Sequence, residues 1–161
     1  MYGKQTENAI AALSRLAEVY DAGKTRLSAS EIARERGLLP PSVAKIMTVL
    51  SQAGLVDGTP GPGGGYALAK PPSRIKLYDI FCLFEREDQS TNCPFGGGVC
   101  GVGEPCALHD KLVNIQSALN ELLRNTTLEA FRKAYQDEGK RPASATPPAQ
   151  KRKSYRAPRH A

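Results

Sequence analysis

Three cysteines and one histidine share a glycine-rich stretch of this 161-residue chain: Cys93, Cys100, Cys106 and His109. Six residues separate the first two cysteines, five separate the next two, and two separate Cys106 from His109. Gly96, Gly97, Gly98, Gly101 and Gly103 lie between them and let the backbone wrap around a compact object. Three soft thiolates and one imidazole make four ligands, enough for an iron–sulfur cluster or for zinc. Zinc sites usually use ligand pairs two to four residues apart, a spacing only the last pair has here. The wider gaps suit a larger object such as an iron–sulfur cluster, and a metal-free redox thiol loop is the third chemistry open to these residues. Cys106 and His109 stand at the start of a predicted helix, both able to project from one face. Unpaired N–H groups in that first turn would lower the thiol pKa. The fourth cysteine, Cys82, lies between Phe81 and Leu83 and is expected to be a small buried hydrophobe.

These ligands need a scaffold, and the helix from about Cys106 to Leu123 is its longest element. Leu112, Ile115, Leu119, Leu122 and Leu123 give it an extended apolar stripe, able to close its own domain or to pair with a second copy. Ahead of the loop, Leu77 to Phe84 is expected as a short apolar helix with Ile80, Phe81 and Phe84 on one face. Thr127, Leu128, Ala130 and Phe131 predict a last short helix ending near Gln136.

The amino-terminal part has a different pattern. Ile10, Leu13, Leu16, Ala17 and Tyr20 predict a helix over Thr6 to Tyr20, with Gly23 after it. Ser28 and Glu31 make a capping box for a second helix, which stops at Gly37. About four residues later Pro40 and Pro41 open a third, closed by Gly54, with Pro41 suited to the first helical position. Two short helices joined by a glycine-containing turn are a helix-turn-helix signal. Val43, Ile46, Met47 and Leu50 form the third helix's inner face, leaving Ser42, Lys45, Thr48, Val49 and Gln52 opposite. Short donors and one cation suit a major groove, although a third helix can simply face solvent. Two short strands, Leu55-Val56 and Tyr66 to Ala69, flank a glycine- and proline-rich turn that includes Gly61, Gly63 and Gly64. A hairpin directly after such a helix is a wing, and its glycines let backbone approach a phosphate closely.

The fold class expected is therefore mostly α with a small β-hairpin wing, a winged helix-turn-helix plus a long dimerisation helix. Residues 1–76 would be the DNA-binding domain, 77–137 the cluster-binding loop and dimerisation helices, and 138–161 a disordered basic tail. Net charge does not itself argue for DNA. Seven of the 22 basic residues fall in 139–161, which has no acidic residue, leaving 15 basic against 16 acidic before it. Residues 1–76 hold ten basic and six acidic groups, and residues 77–138 hold five and ten. The pI is thus largely the tail's, with weak phosphate attraction as its expected role. No apolar run approaches a membrane span and the N-terminus is polar, so a soluble cytoplasmic protein with reduced thiols is expected.

Gly61-Pro62-Gly63-Gly64-Gly65-Tyr66, the cysteine loop and the helix after it resemble the Rrf-type winged helix regulators, over about residues 5–135. The resemblance implies a bacterial transcription factor that acts on a double-stranded DNA operator. It also implies Cys93, Cys100 and Cys106 as iron–sulfur ligands. His109 matches the histidine of the IscR-like type, which points to 2Fe–2S rather than 4Fe–4S. Two departures stand out: the gap between Cys93 and Cys100 is one residue longer than the common one, and Pro60 stands where IscR-like members often place an arginine. NsrR-like members hold 4Fe–4S with an N-terminal carboxylate, for which Glu7 is the nearby candidate. The function expected is a homodimeric, cluster-dependent regulator sensing iron, redox state or nitric oxide, with Ser42, Lys45, Thr48, Gln52, Gly61, Gly63 and Gly64 at the DNA. Two alternatives remain: a metal-free repressor governed by thiol chemistry or a partner protein, and an iron–sulfur redox protein. No enzyme motif is present.

Overall fold

A computed structural model describes residues 3–85 and 106–138. Among the described residues, six α-helices and one two-stranded sheet follow in the order α1 (Lys4–Glu18), α2 (Ala29–Arg36), α3 (Pro40–Gln52), β1 (Val56–Thr59), β2 (Gly65–Leu68), α4 (Leu77–Phe84), α5 (His109–Asn125) and α6 (Glu129–Glu138). The expected mostly helical chain with a hairpin wing is what this order describes. Residues 86–105 and, beyond Glu138 at the end of α6, the expected disordered tail lie outside the described residues.

Small side chains let α1 run through the centre. Ala9, Ala12 and Ala17 are fully buried beside Leu13 and Leu16, so neighbouring helices approach closely. The helix spans Lys4–Glu18 rather than Thr6 to Tyr20, with Val19 as its C-cap; Gly23 follows in the loop at φ +86°. Helix α2 starts at the expected capping box. The Ser28 hydroxyl accepts from the Glu31 N–H at 3.2 Å, and the Ser28 N–H donates to the Glu31 carboxylate at 2.7 Å. The Ser28 backbone N–H first, and then the Ser28 hydroxyl, which donates to the same carboxylate at 2.7 Å, hold Glu31 below the usual carboxylate range. Gly37, left-handed at φ +64°, ends the helix as the sequence expects. Helix α3 begins one residue earlier than expected, at Pro40.

Strands β1 and β2 are antiparallel, with Val56 opposite Leu68 and Gly58 opposite Tyr66. The first strand is longer than Leu55-Val56 and starts at Val56, because Leu55 closes the helix behind it: its N–H donates to the Leu50 carbonyl at 3.0 Å. On its other edge β2 pairs with Leu27, which exchanges two backbone hydrogen bonds with Tyr66 at 3.0 and 2.8 Å. The wing is thereby stitched to the segment before α2.

One hydrophobic cluster runs across residue 76. Leu123 of α5 and Leu128 share it with Leu13, Met47 and Ile80. The backbones of Ile75 and Leu77 pair with those of Leu128 and Thr126 at 2.9 and 3.0 Å. Helix α4 packs by Leu77 and Ile80, with Phe81 and Phe84 half-buried. Cys82, expected to be buried, is exposed. It lies two residues from Ile80, about 200° around the helix and away from the core.

Candidate nucleic-acid interface

Helix α3 is fixed from behind by Val43, Ile46, Met47 and Leu50, all buried. Lys45, Thr48 and Gln52 are exposed on the other side, as expected, while Ser42 is only half-exposed. Pro41 and Ala44, not among the residues expected on this face, stand exposed with them. Thr48, expected among the donors of this face, uses its proton within the helix. Its hydroxyl donates to the Ala44 carbonyl at 3.0 Å, back along the helix.

The wing stands beside this face. The Gly64 N–H donates to the Gly61 carbonyl at 2.9 Å and closes the tip, and any Cβ on Gly64 would collide with the Thr59 carbonyl. At Gly65, φ is +136° and a Cβ would press on the Leu27 backbone, so the glycine permits the stitch at Leu27. Gly61 and Gly63 are exposed at the tip, with φ of +89° and +74°. An open cleft between helix and wing is lined by Thr48, Ser51, Gln52, Thr59, Pro60 and Tyr66. Among the described residues no cation lines it. Arg26 supports the wing instead: its guanidinium donates to the Asp57 carbonyl at 3.1 Å. No sequence signal marked Arg26, because its partner is backbone 31 residues away.

An ionic network holds α2, and so α3, against the rest. Arg15 of α1 pairs with Glu18 and Glu35, and Arg36 pairs with Glu18 while its Nε donates to the Ala11 carbonyl at 3.1 Å. The Tyr135 ring of α6 lies 5.8 Å from the Arg15 guanidinium. Burial opposes the Arg15 charge, but hydrogen bonding to Glu18 and Tyr135, with Glu35 beside it, outweighs that and raises its pKa. The network spans α1, α2 and α6.

At the other end, the proposed ligands divide. Cys93 and Cys100 lie outside the described residues. Cys106 and His109 are joined by one turn, in which the His109 N–H donates to the Cys106 carbonyl at 2.9 Å. Helix α5 starts at His109, not at Cys106, so the thiol precedes the helix rather than occupying its first turn as expected. Both residues are half-buried. Among the described residues no three histidine, cysteine or carboxylate groups converge. Glu7 is exposed and pairs with Lys4 at 2.8 Å. Glu85, the last described residue before the loop, accepts from the Gly3 N–H at 2.6 Å and from the buried Thr6 hydroxyl, pinning the loop's near end to the start of α1.

The stripe expected on α5 splits in two. Leu119 and Leu123 turn to the core, whereas Ile115 and Leu122 are 60% and 55% exposed, with Leu108 and Val113 also open. No helix among the described residues is long and apolar enough to cross a membrane.

A family model, Rrf2, described as "Iron-dependent Transcriptional regulator", matches residues 2–134. A Neisseria meningitidis protein provisionally named as an HTH-type transcriptional regulator is 33% identical over 123 residues, 76% of this chain and 81% of its own length. The HTH-type transcriptional regulator IscR of Escherichia coli is 29% identical over 120 residues, 74% of this chain and 72% of its own. Among solved structures, CymR, the global cysteine regulator of B. subtilis, aligns with a TM-score of 0.66 at 25% identity, covering 83% of this chain and 97% of that one. IscR of T. potens aligns with a TM-score of 0.63 at 25% identity, covering 89% and 92%. These relatives are transcriptional regulators and not enzymes.

Proposed function

The chain belongs to the Rrf2 family of transcriptional regulators, and from that premise we propose an iron–sulfur cluster-dependent regulator that acts as a homodimer on a duplex DNA operator. The observation that carries the reading is the turn from Cys106 to His109, which opens the same helix that carries Leu119 and Leu123 in the core and Ile115 and Leu122 outside it. Whatever holds that turn also sets the start of a helix poised between the reader and a second copy.

The donor set fits a cluster. Cys93, Cys100 and Cys106 would supply thiolates, and His109 the fourth ligand, which favours 2Fe–2S over 4Fe–4S. When bound, the cluster would supply a centre sensitive to iron supply, redox state or nitric oxide. Helix α5, fixed at its start, would set the spacing of the two copies of α3. Ser42, Lys45, Thr48 and Gln52 would meet the groove, with Gly61, Gly63 and Gly64 bringing wing backbone to phosphate. Residues 1–76 would thus read DNA, 77–137 would sense and dimerise, and the basic 138–161 tail would add non-specific attraction. The proposed setting is the cytoplasm.

A second reading, a metal-free repressor governed by thiol chemistry or a partner protein, is favoured by the likeness to a cysteine regulator. Anaerobic purification followed by iron and sulfide analysis separates the two. Stoichiometric iron, lost in Cys93→Ala, supports the cluster; an iron-free protein that still binds its operator supports the thiol regulator.

A further inference from the structure

The start of α3 is unusually poor in donors for a helix facing DNA. Pro40 and Pro41 have no N–H, and the N–H groups of Ser42 and Val43 both donate to the Leu39 carbonyl, at 3.0 and 3.1 Å. From Pro40 to Val43 the helix therefore offers a phosphate no free N–H group of the kind that usually anchors one. It offers apolar surface instead. Leu39 is 74% exposed, and Pro41 and Ala44 stand exposed one turn apart. Thr48 continues the strip one turn further; its hydroxyl proton goes to the Ala44 carbonyl, so it is spent as a donor, and the side chain also carries a γ-methyl. The helix carries no carboxylate and has Lys45 on the same side, which suits a polyanion.

Resting on the proposed docking of α3 in the major groove, we infer that Pro41, Ala44 and the Thr48 methyl read thymine 5-methyl groups. Residues near the start of a recognition helix meet base edges. The thymine methyl is the apolar mark on the major-groove edge and is read by alanine and threonine methyls. Specificity at these positions comes from apolar contact, and the Thr48 hydroxyl serves the helix rather than the base.

The test starts by selecting a binding duplex from a randomised library with the full-length, anaerobically prepared protein. The selected duplex is then remade with deoxyuridine for thymidine, one position at a time, which removes only the methyl. Thymines under α3 are expected to lose about fourfold in affinity each, the worth of one buried methyl group. In Thr48→Ser, which keeps the hydroxyl, one of those sensitivities should fall below about twofold; in Thr48→Val, which keeps the methyl, it should persist. A selected duplex indifferent to deoxyuridine overturns the inference and leaves DNA reading intact. So does methyl sensitivity unchanged in Thr48→Ser, or a Thr48 effect seen only in oligomeric state, which would assign the strip to a contact between copies. If no sequence is enriched, the docking reading itself fails and takes this inference with it.

Discussion

Met47 of α3 is wholly buried, whereas Ile115 of α5, also in its helix's apolar stripe, is 60% exposed. The same contrast holds for the regions around them. The α2–α3–wing region is closed on itself: a capping box starts α2, Leu27 ties down β2, Arg26 supports β1 and the core covers the inner face of α3. The region from Cys106 through α5 instead leaves an apolar face exposed, with Ile115 and Leu122 at 60% and 55%. One copy of the chain completes the α2–α3–wing region; in the proposed function the other half is completed by a second copy and a cluster. That asymmetry is what a regulator needs, because the rigid half can be aimed by whatever completes the other.

Substitutions should divide accordingly. Met47→Ala leaves a cavity behind the reader and should cost about 2–5 kcal/mol of folding stability in denaturant titrations. Ile115→Glu should leave folding stability within about 0.5 kcal/mol while shifting the protein from dimer to monomer in sedimentation. Equal destabilisation by the two would erase the contrast between the halves. Ser28→Ala should cost about 1 kcal/mol, the usual worth of an N-cap, without altering oligomeric state.

The same cap carries a pH signature. Folding holds the Glu31 pKa below its unfolded value. Its stabilisation is therefore present above the unfolded pKa and lost as pH falls through the folded one. Unfolding midpoints measured down an acid series should show a smaller acid loss in Glu31→Gln. The smallest effect concerns Lys45→Ala, which should weaken operator binding a few-fold and lower the salt slope by about one. An unchanged slope would mean that the exposed face of α3 is not the one that meets DNA.

Local chemistry was the legible part of the sequence. The capping box, the stop at Gly37 and the apolar spacing of α3 and α4 act within one or two turns, so residue types alone located them. The departures were non-local or directional. Leu27 joins β2 across the chain, and nothing near it announces a strand partner. Cys82 was expected inside because Phe81 and Leu83 flank it, yet helix periodicity turns it outward. Thr48 looked like a donor by type, and only its bond to Ala44 removes that role. At the candidate ligand site the residue types and spacing were visible, but the one-turn offset between Cys106 and the start of α5 was not, since it depends on where Leu108 caps the helix.

In the proposed function a cluster held at the turn of Cys106 and His109 governs the reader. The most direct test is operator affinity, measured anaerobically at one salt concentration, for the cluster-loaded protein before and after chelation of its iron. The account requires a change of about tenfold or more, within the usual range of coupling between two sites. Identical affinity in the two states, with the dimer intact in both, would contradict it.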